Sequence, residues 1–220
     1  MTPDNREKVQ VGVLASGRGS NFEALLRHER DGFFRKAHIA CLIVDKSDAG
    51  ALQIAQRFGV PSHVVLRKDF ASKEQFEKAI VAILESYAIT WVALAGYMRL
   101  VGPTLLERYS ERILNIHPAL LPAFPGLHAQ RQALEYGVKV SGCTVHFVDA
   151  GMDTGPIIVQ RCVPVMDNDT EESLAARILE QEHQAYAEAL KAVTERQWRI
   201  EQRVVRFLDE TLSDKGASTT

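Results

Sequence analysis

Apolar residues follow a repeating rhythm along the first half of the chain. A short β-branched run at 9–15 (VQVGVLA) ends in a glycine-bearing turn, and residues 21–30 then place Phe22, Leu25 and Leu26 on one helical face. A second run, HIACLIV at 38–44, leads into a helical segment over 48–58 that closes at Gly59-Val60-Pro61. PSHVVL supplies a third strand. Over 72–87, Phe76, Ala79, Ile80, Ile83 and Leu84 recur at helical spacing. Two continuous apolar runs, WVALAG at 91–96 and RILNIH at 112–117, have the composition of central strands covered on both faces, with a short helix begun by Gly102-Pro103 between them. This alternation predicts a mostly parallel sheet with right-handed crossovers.

The pattern changes after residue 137. KVSGCTVHFV and PIIVQRCVPV flank a short loop and predict an antiparallel hairpin added to the sheet. A long helix follows, with Asp169 as its expected cap, Glu172 reaching back, and Leu174, Ile178, Ala185, Ala189 and Val193 as its buried stripe. The last dozen residues, DETLSDKGASTT, are polar and expected to be disordered. No repeat or composition break divides the chain. The expectation is one α/β domain over 1–208, a Rossmann-like, mostly parallel twisted sheet with helices on both faces and an added antiparallel hairpin, followed by a polar tail over 209–220.

Composition narrows the function classes. The chain has 220 residues, 46% hydrophobic and 25% charged, with a net charge of −2, so a nucleic-acid partner, which calls for a basic surface, is not expected. No apolar run reaches the ~18–20 residues of a membrane span. The first ten residues are polar and mixed in charge, which predicts no secretory signal. Cys41, Cys143 and Cys162 are widely spaced and form no CxxC pair, a usage that fits a reducing cytoplasm. No HEXXH or other metal-ligand spacing occurs, with His128, His146 and His183 scattered, and no metal is expected.

Candidate chemistry lies in the loops that follow strands, where open α/β sheets bind ligands. In Ser16-Gly17-Arg18-Gly19-Ser20-Asn21, two glycines permit close backbone approach, and a helix start adds free N–H groups, which suits a phosphate. A plain tight turn capped by serine and asparagine fits the same residues. A dinucleotide fingerprint does not, although Asp45 mimics its ribose-binding acid, because Phe22 stands where the third glycine belongs. In Asn115-Ile116-His117-Pro118, alternation puts the carboxamide and the imidazole on one face of a strand end. That pair can stabilise an oxyanion and move a proton; a histidine satisfied within the core is the competing reading. In the hairpin loop, Asp149 and Asp153 could each hold an imidazolium. No GxSxG or local cysteine signature offers a nucleophile.

SGRGSN, LAGYMRLVGP, ILNIHPALLPAFPGLHAQRQAL and VHFVDAGMDTGPIIVQ, in this order and spacing, resemble the folate-dependent formyltransferases. The GSN loop and compact length point to the branch that formylates glycinamide ribonucleotide in purine biosynthesis. The resemblance runs from the first strand to the end of the long helix near residue 193.

The resemblance implies transfer of a formyl group from 10-formyltetrahydrofolate to the amine of 5'-phosphoribosylglycinamide, in the cytoplasm, by a monomer or homodimer. It further implies that Asn115 and His117 polarise the formyl oxygen, that His117 shuttles the proton, and that Asp153 keeps His117 charged. Gly19, Ser20 and Asn21 would grip the phosphate, and Glu182 would contact the ribose or amine end. Met98, Arg99, Leu100 and Val101 would line the folate pocket, and Lys73 would meet its acidic tail. Another folate formyltransferase, a formyltetrahydrofolate hydrolase and a non-catalytic phosphate-ligand binder are the alternatives.

Overall fold

A computed structural model of the chain describes residues 8–208, so the tail expected over 209–220 lies outside the described residues. In chain order the elements are β1 (Val9–Ala15), α1 (Ser20–Arg30), β2 (Ala37–Val44), α2 (Ala51–Phe58), β3 (Ser62–Val64), α3 (Lys73–Ser86), β4 (Trp91–Leu94), α4 (Pro103–Arg108) and β5 (Ile113–His117). They continue with α5 (Ala129–Tyr136), β6 (Val140–Phe147), β7 (Ile157–Pro164), α6 (Glu171–Glu195), β8 (Trp198–Glu201) and β9 (Val204–Phe207). The nine strands form one sheet in the order β3-β2-β1-β4-β5-β6-β7-β9-β8. The first five in that order are parallel, and β6 and β7 continue them as the expected antiparallel hairpin.

Strand alternation feeds two cores. Val11, Val13 and Ala15 of β1 pack with α1, α2, α5 and α6 on one face, whereas Leu14 packs with Phe76, Ile80 and Leu84 of α3 and Leu105 of α4 on the other. The stripe expected on α6 is buried throughout, and Tyr186, wholly buried beside it, places its hydroxyl 2.9 Å from the Leu94 carbonyl and 3.2 Å from that of Leu114. The longest helix is thereby tied to both central strands that lead into the site.

One local expectation needs correction, and two elements were not foreseen. The cap of α6 is Thr170, not Asp169: Ser173 N–H donates to the Thr170 hydroxyl (3.2 Å), and Thr170 N–H donates to Ser173 Oγ (2.9 Å). Asp169 is engaged instead by a forked ion pair with Arg177, at 2.7 and 2.8 Å. The helix α5, which the sequence pattern did not announce, begins at Ala129, and its buried residues are only Ala129 and Ala133. The β8–β9 hairpin was not expected at all. Thr170→Ala should destabilise the chain by about 1 kcal/mol in urea denaturation, the usual cost of losing a cap.

Candidate active site

The chain turns from β3 back across β1 to β4, so the loops after β1 and β4 diverge at a crevice on the carboxyl edge of the sheet. A cavity of about 560 Å³ opens there. Met98, Arg99, Leu100 and Val101 line one side, Asn115 and His117 the floor, and Asp153 with His146 the opposite side.

The floor follows from strand geometry. Asn115 and His117 share the face of β5 that buries Ile113, and Pro118 leads the chain away before the ladder can continue. Asn115 Nδ2 lies 3.2 Å from His146 Nε2 and 3.4 Å from Asp153 Oδ1. His117, 4% exposed, donates from Nε2 to the Phe124 carbonyl at 2.7 Å, because that oxygen can only accept. Its Nδ1 is 3.3 Å from Asp153 Oδ2. Of Asp149 and Asp153, it is Asp153 whose carboxylate lies beside His117. Asp149 closes its own loop, accepting from Gly151 N–H and the Thr154 hydroxyl.

Asp153 sits at φ +54°, a left-handed conformation that aspartate tolerates better than most residues, and its Oδ2 accepts Gly126 N–H at 2.8 Å. Burial works to raise its pKa, but His146, Gly126 and the field of His117 outweigh it and hold the carboxyl below its ordinary value. For His117 the balance is reversed. Burial depresses the pKa, and the Phe124 carbonyl and Asp153 oppose this without cancelling it. Burial and Asp153 thus pull the ring in opposite directions, with burial the stronger, while both ring nitrogens face oxygen acceptors.

The phosphate-type loop lies next to this cavity. Gly19, at φ +83°, precedes the first residue of α1, Ser20, and no side chain caps the helix there. A Cβ on Gly19 would come within 2.8 Å of Ala51, so both conformation and packing demand glycine. The reading of this loop as a turn capped by serine and asparagine is thus set aside; Asn21 instead donates from Nδ2 to Glu182 Oε2 at 2.7 Å.

Glu182 is 7% exposed, and burial raises its pKa while the Asn21 bond opposes it. An acid whose folded pKa is raised costs stability once pH exceeds the unfolded value, 4.5, and the cost grows until the folded pKa is passed. Glu182→Gln should therefore match wild type near pH 4.5 and be the more stable of the two at pH 7.5, as read by urea denaturation at both pH values.

Lys73, expected at the folate tail, and Asp45, named only as a mimic, have other neighbours. Lys73 opens α3 with Nζ 3.9 Å from Glu77 Oε1, and it is not among the residues lining the cavity. Asp45, the mimic of a ribose-binding acid, pairs with Arg99 Nε at 2.5 Å. His146, earlier grouped with scattered histidines, stands opposite Asn115 in the β5–β6 register, a position that only the strand pairing reveals. Burial pushes the thiols of Cys41 and Cys143 up to about 12, so neither offers a thiolate at neutral pH. Among the described residues, no group of three or more His, Cys, Asp and Glu is arranged to hold a metal ion.

Comparison with known proteins places this geometry. The family model described as formyl transferase matches residues 9–190. The chain belongs to the formyl transferase family. This formyltransferase is 46% identical over 182 residues to the phosphoribosylglycinamide formyltransferase of Bacillus subtilis (strain 168), covering 83% of this chain and 93% of that one. Its fold is similar to that of glycinamide ribonucleotide transformylase 1 from Symbiobacterium toebii, with a TM-score of 0.90 and 49% identity over 92% of this chain and 95% of that one. A formyltetrahydrofolate deformylase from Pseudomonas syringae pv. tomato is similar at a TM-score of 0.85 and 27% identity, over 94% of this chain and 68% of its own. The formyltransferase cavity is bounded by Asn115, His117 and Asp153, all within the matched span.

Proposed function

We propose that the chain transfers the formyl group of 10-formyltetrahydrofolate to the amine of 5'-phosphoribosylglycinamide, a step of purine biosynthesis carried out in the cytoplasm. The observation that carries this reading is the convergence of Asn115, His117 and Asp153 at the floor of a cavity walled by Met98–Val101. The same residue types would also serve a deformylase, and the Gly19–Asn21 loop joined to Glu182 favours a phosphorylated acceptor.

Direct attack of an amine on a formyl carbon needs no enzyme nucleophile. It needs a donor for the charge developing on the formyl oxygen and a route for the amine's proton. Asn115 Nδ2 supplies the donor by exchanging its long 3.4 Å contact with Asp153 Oδ1 for the formyl oxygen, a contribution worth about 3–4 kcal/mol when well aimed. His117 Nδ1 takes the proton. Its Nε2 hydrogen is already committed to the Phe124 carbonyl, so Nδ1 is where the neutral ring carries its lone pair. The imidazolium then faces oxygen acceptors on both sides, Phe124 O and Asp153 Oδ2. Asp153 thus stabilises the charged ring once formed. The ring then gives its proton to the departing folate nitrogen, and the acceptor amine leaves as a formamide.

Lys73 is proposed to meet the folate's acidic tail, and Gly19, Ser20 and Asn21 to hold the phosphate. The test is an absorbance assay of deformylated folate, with wells that contain or omit the ribonucleotide. Turnover that requires the ribonucleotide supports the transferase. Release without it would replace this reading by hydrolysis, and silence with the ribonucleotide still bound would leave a phosphate-ligand binder.

A further inference from the structure

The segment that walls the folate side, 98–102, contains no helix or strand, and it bridges β4 and α4. Its conformation is nevertheless fixed at three points by side chains from three different elements. Ser16, just beyond β1, accepts Met98 N–H on its hydroxyl at 2.9 Å. Asp45, just beyond β2, holds the Arg99 guanidinium at 2.5 Å, which also lies 5.7 Å over the ring of Phe76. Glu77 of α3 accepts Gly102 N–H on Oε1 at 2.6 Å. None of the three anchors lines the cavity.

All three are buried, at 3%, 6% and 2% exposure for Ser16, Asp45 and Glu77. Asp45 Oδ1 and Glu77 Oε2 have no hydrogen-bond partner. Burying a carboxylate with one oxygen unsatisfied costs stability, and an apolar side chain of similar volume would serve the core as well or better. Position 102 is shaped to admit the carboxylate: a Cβ there would lie 2.6 and 2.7 Å from the two Glu77 oxygens. The arrangement sacrifices stability to hold the loop.

Resting on the reaction proposed above, we propose that Glu77, with Ser16 and Asp45, is a positioning residue for the folate. The three anchors set the 98–102 backbone in its folate-binding shape without touching the ligand, and losing one weakens folate binding and spares the ribonucleotide.

Glu77→Leu, Glu77→Gln and Ser16→Ala separate this from a structural role, when KM is measured for each substrate beside the thermal midpoint. Glu77→Leu should raise the KM for 10-formyltetrahydrofolate about tenfold, with the ribonucleotide KM within about twofold and the midpoint unchanged or lowered modestly, because Gly102 N–H loses its acceptor. Glu77→Gln keeps an acceptor for Gly102 N–H and should stay within about threefold of wild type on the folate KM. Ser16→Ala should shift the folate KM in the same direction as Glu77→Leu, and it carries the test if that variant does not fold. An unchanged folate KM in the folded variants, or a parallel rise in both KM values, overturns the proposal.

Equilibrium binding of 5-formyltetrahydrofolate, read by tryptophan fluorescence, keeps the two readings apart. Wild-type protein that binds it without turnover overturns the reaction, and the anchors are then judged on Kd alone. Wild-type protein that neither binds nor turns over overturns both.

Discussion

His117→Ala is expected to lose at least about 100-fold in kcat, with both KM values changed by only a few fold and the fold retained. Of the imidazoles that line the cavity, His117 has the ring nitrogen closest to the Asp153 carboxylate, Nδ1 at 3.3 Å, and an imidazole can both accept and return a proton. Burial places its pKa below the ordinary 6.5, so a base role makes wild-type activity fall as pH drops through that depressed value. The residual activity of His117→Ala should lack this acid limb. Steady-state rates from pH 5 to 9 provide the check. A variant within tenfold of wild type, or one that retains the limb, would remove His117 from the proton path.

Asp153→Asn should lose a comparable factor, again at least about 100-fold in kcat. Asparagine is the informative replacement because it tolerates the left-handed backbone at φ +54° and can still accept Gly126 N–H, whereas alanine adds strain of its own. What disappears is the negative charge 3.3 Å from His117 Nδ1. Without it the imidazolium is less stable, so the acid limb of the rate profile should move to lower pH as the plateau falls. A large loss of rate with the limb unmoved would mean that Asp153 positions a substrate or water and does not tune the imidazole.

The sequence carried the central architecture because most of it is written in short-range pattern. The run 9–15, the apolar run that begins at Trp91 and the Asn-x-His alternation each announce a strand and its face without reference to anything distant. Elements with weak local signals were not legible. The buried positions of α5 are two alanines, which give little periodicity behind a proline-rich loop. In the β8–β9 hairpin, each strand has four residues, and the turn uses Gln202 at φ +57° where glycine or asparagine would have signalled it.

The cap of α6 was misplaced by one residue because Asp169 and Thr170 are both good caps locally, and the choice depends on Arg177 drawing the carboxylate away. In the candidate site, Asn115, His117 and Asp153 were visible as residue types at the right strand end and loop. The partnership of His146 needed the β5–β6 register. The depressed pKa of His117 needed its burial, a property of the assembled chain that no local pattern carries.

Tyr186 and Glu182 stand four residues apart on α6, about 6 Å along its axis. One fastens the helix to carbonyls of both central strands, Leu94 at the end of β4 and Leu114 within β5, and the other holds Asn21 in the first turn of α1. The helix therefore acts as a gauge block. The seat proposed for the phosphorylated partner and the strands beneath the proposed formyl-donor site are both referenced to one rod, and their separation is set by the spacing of two side chains along it.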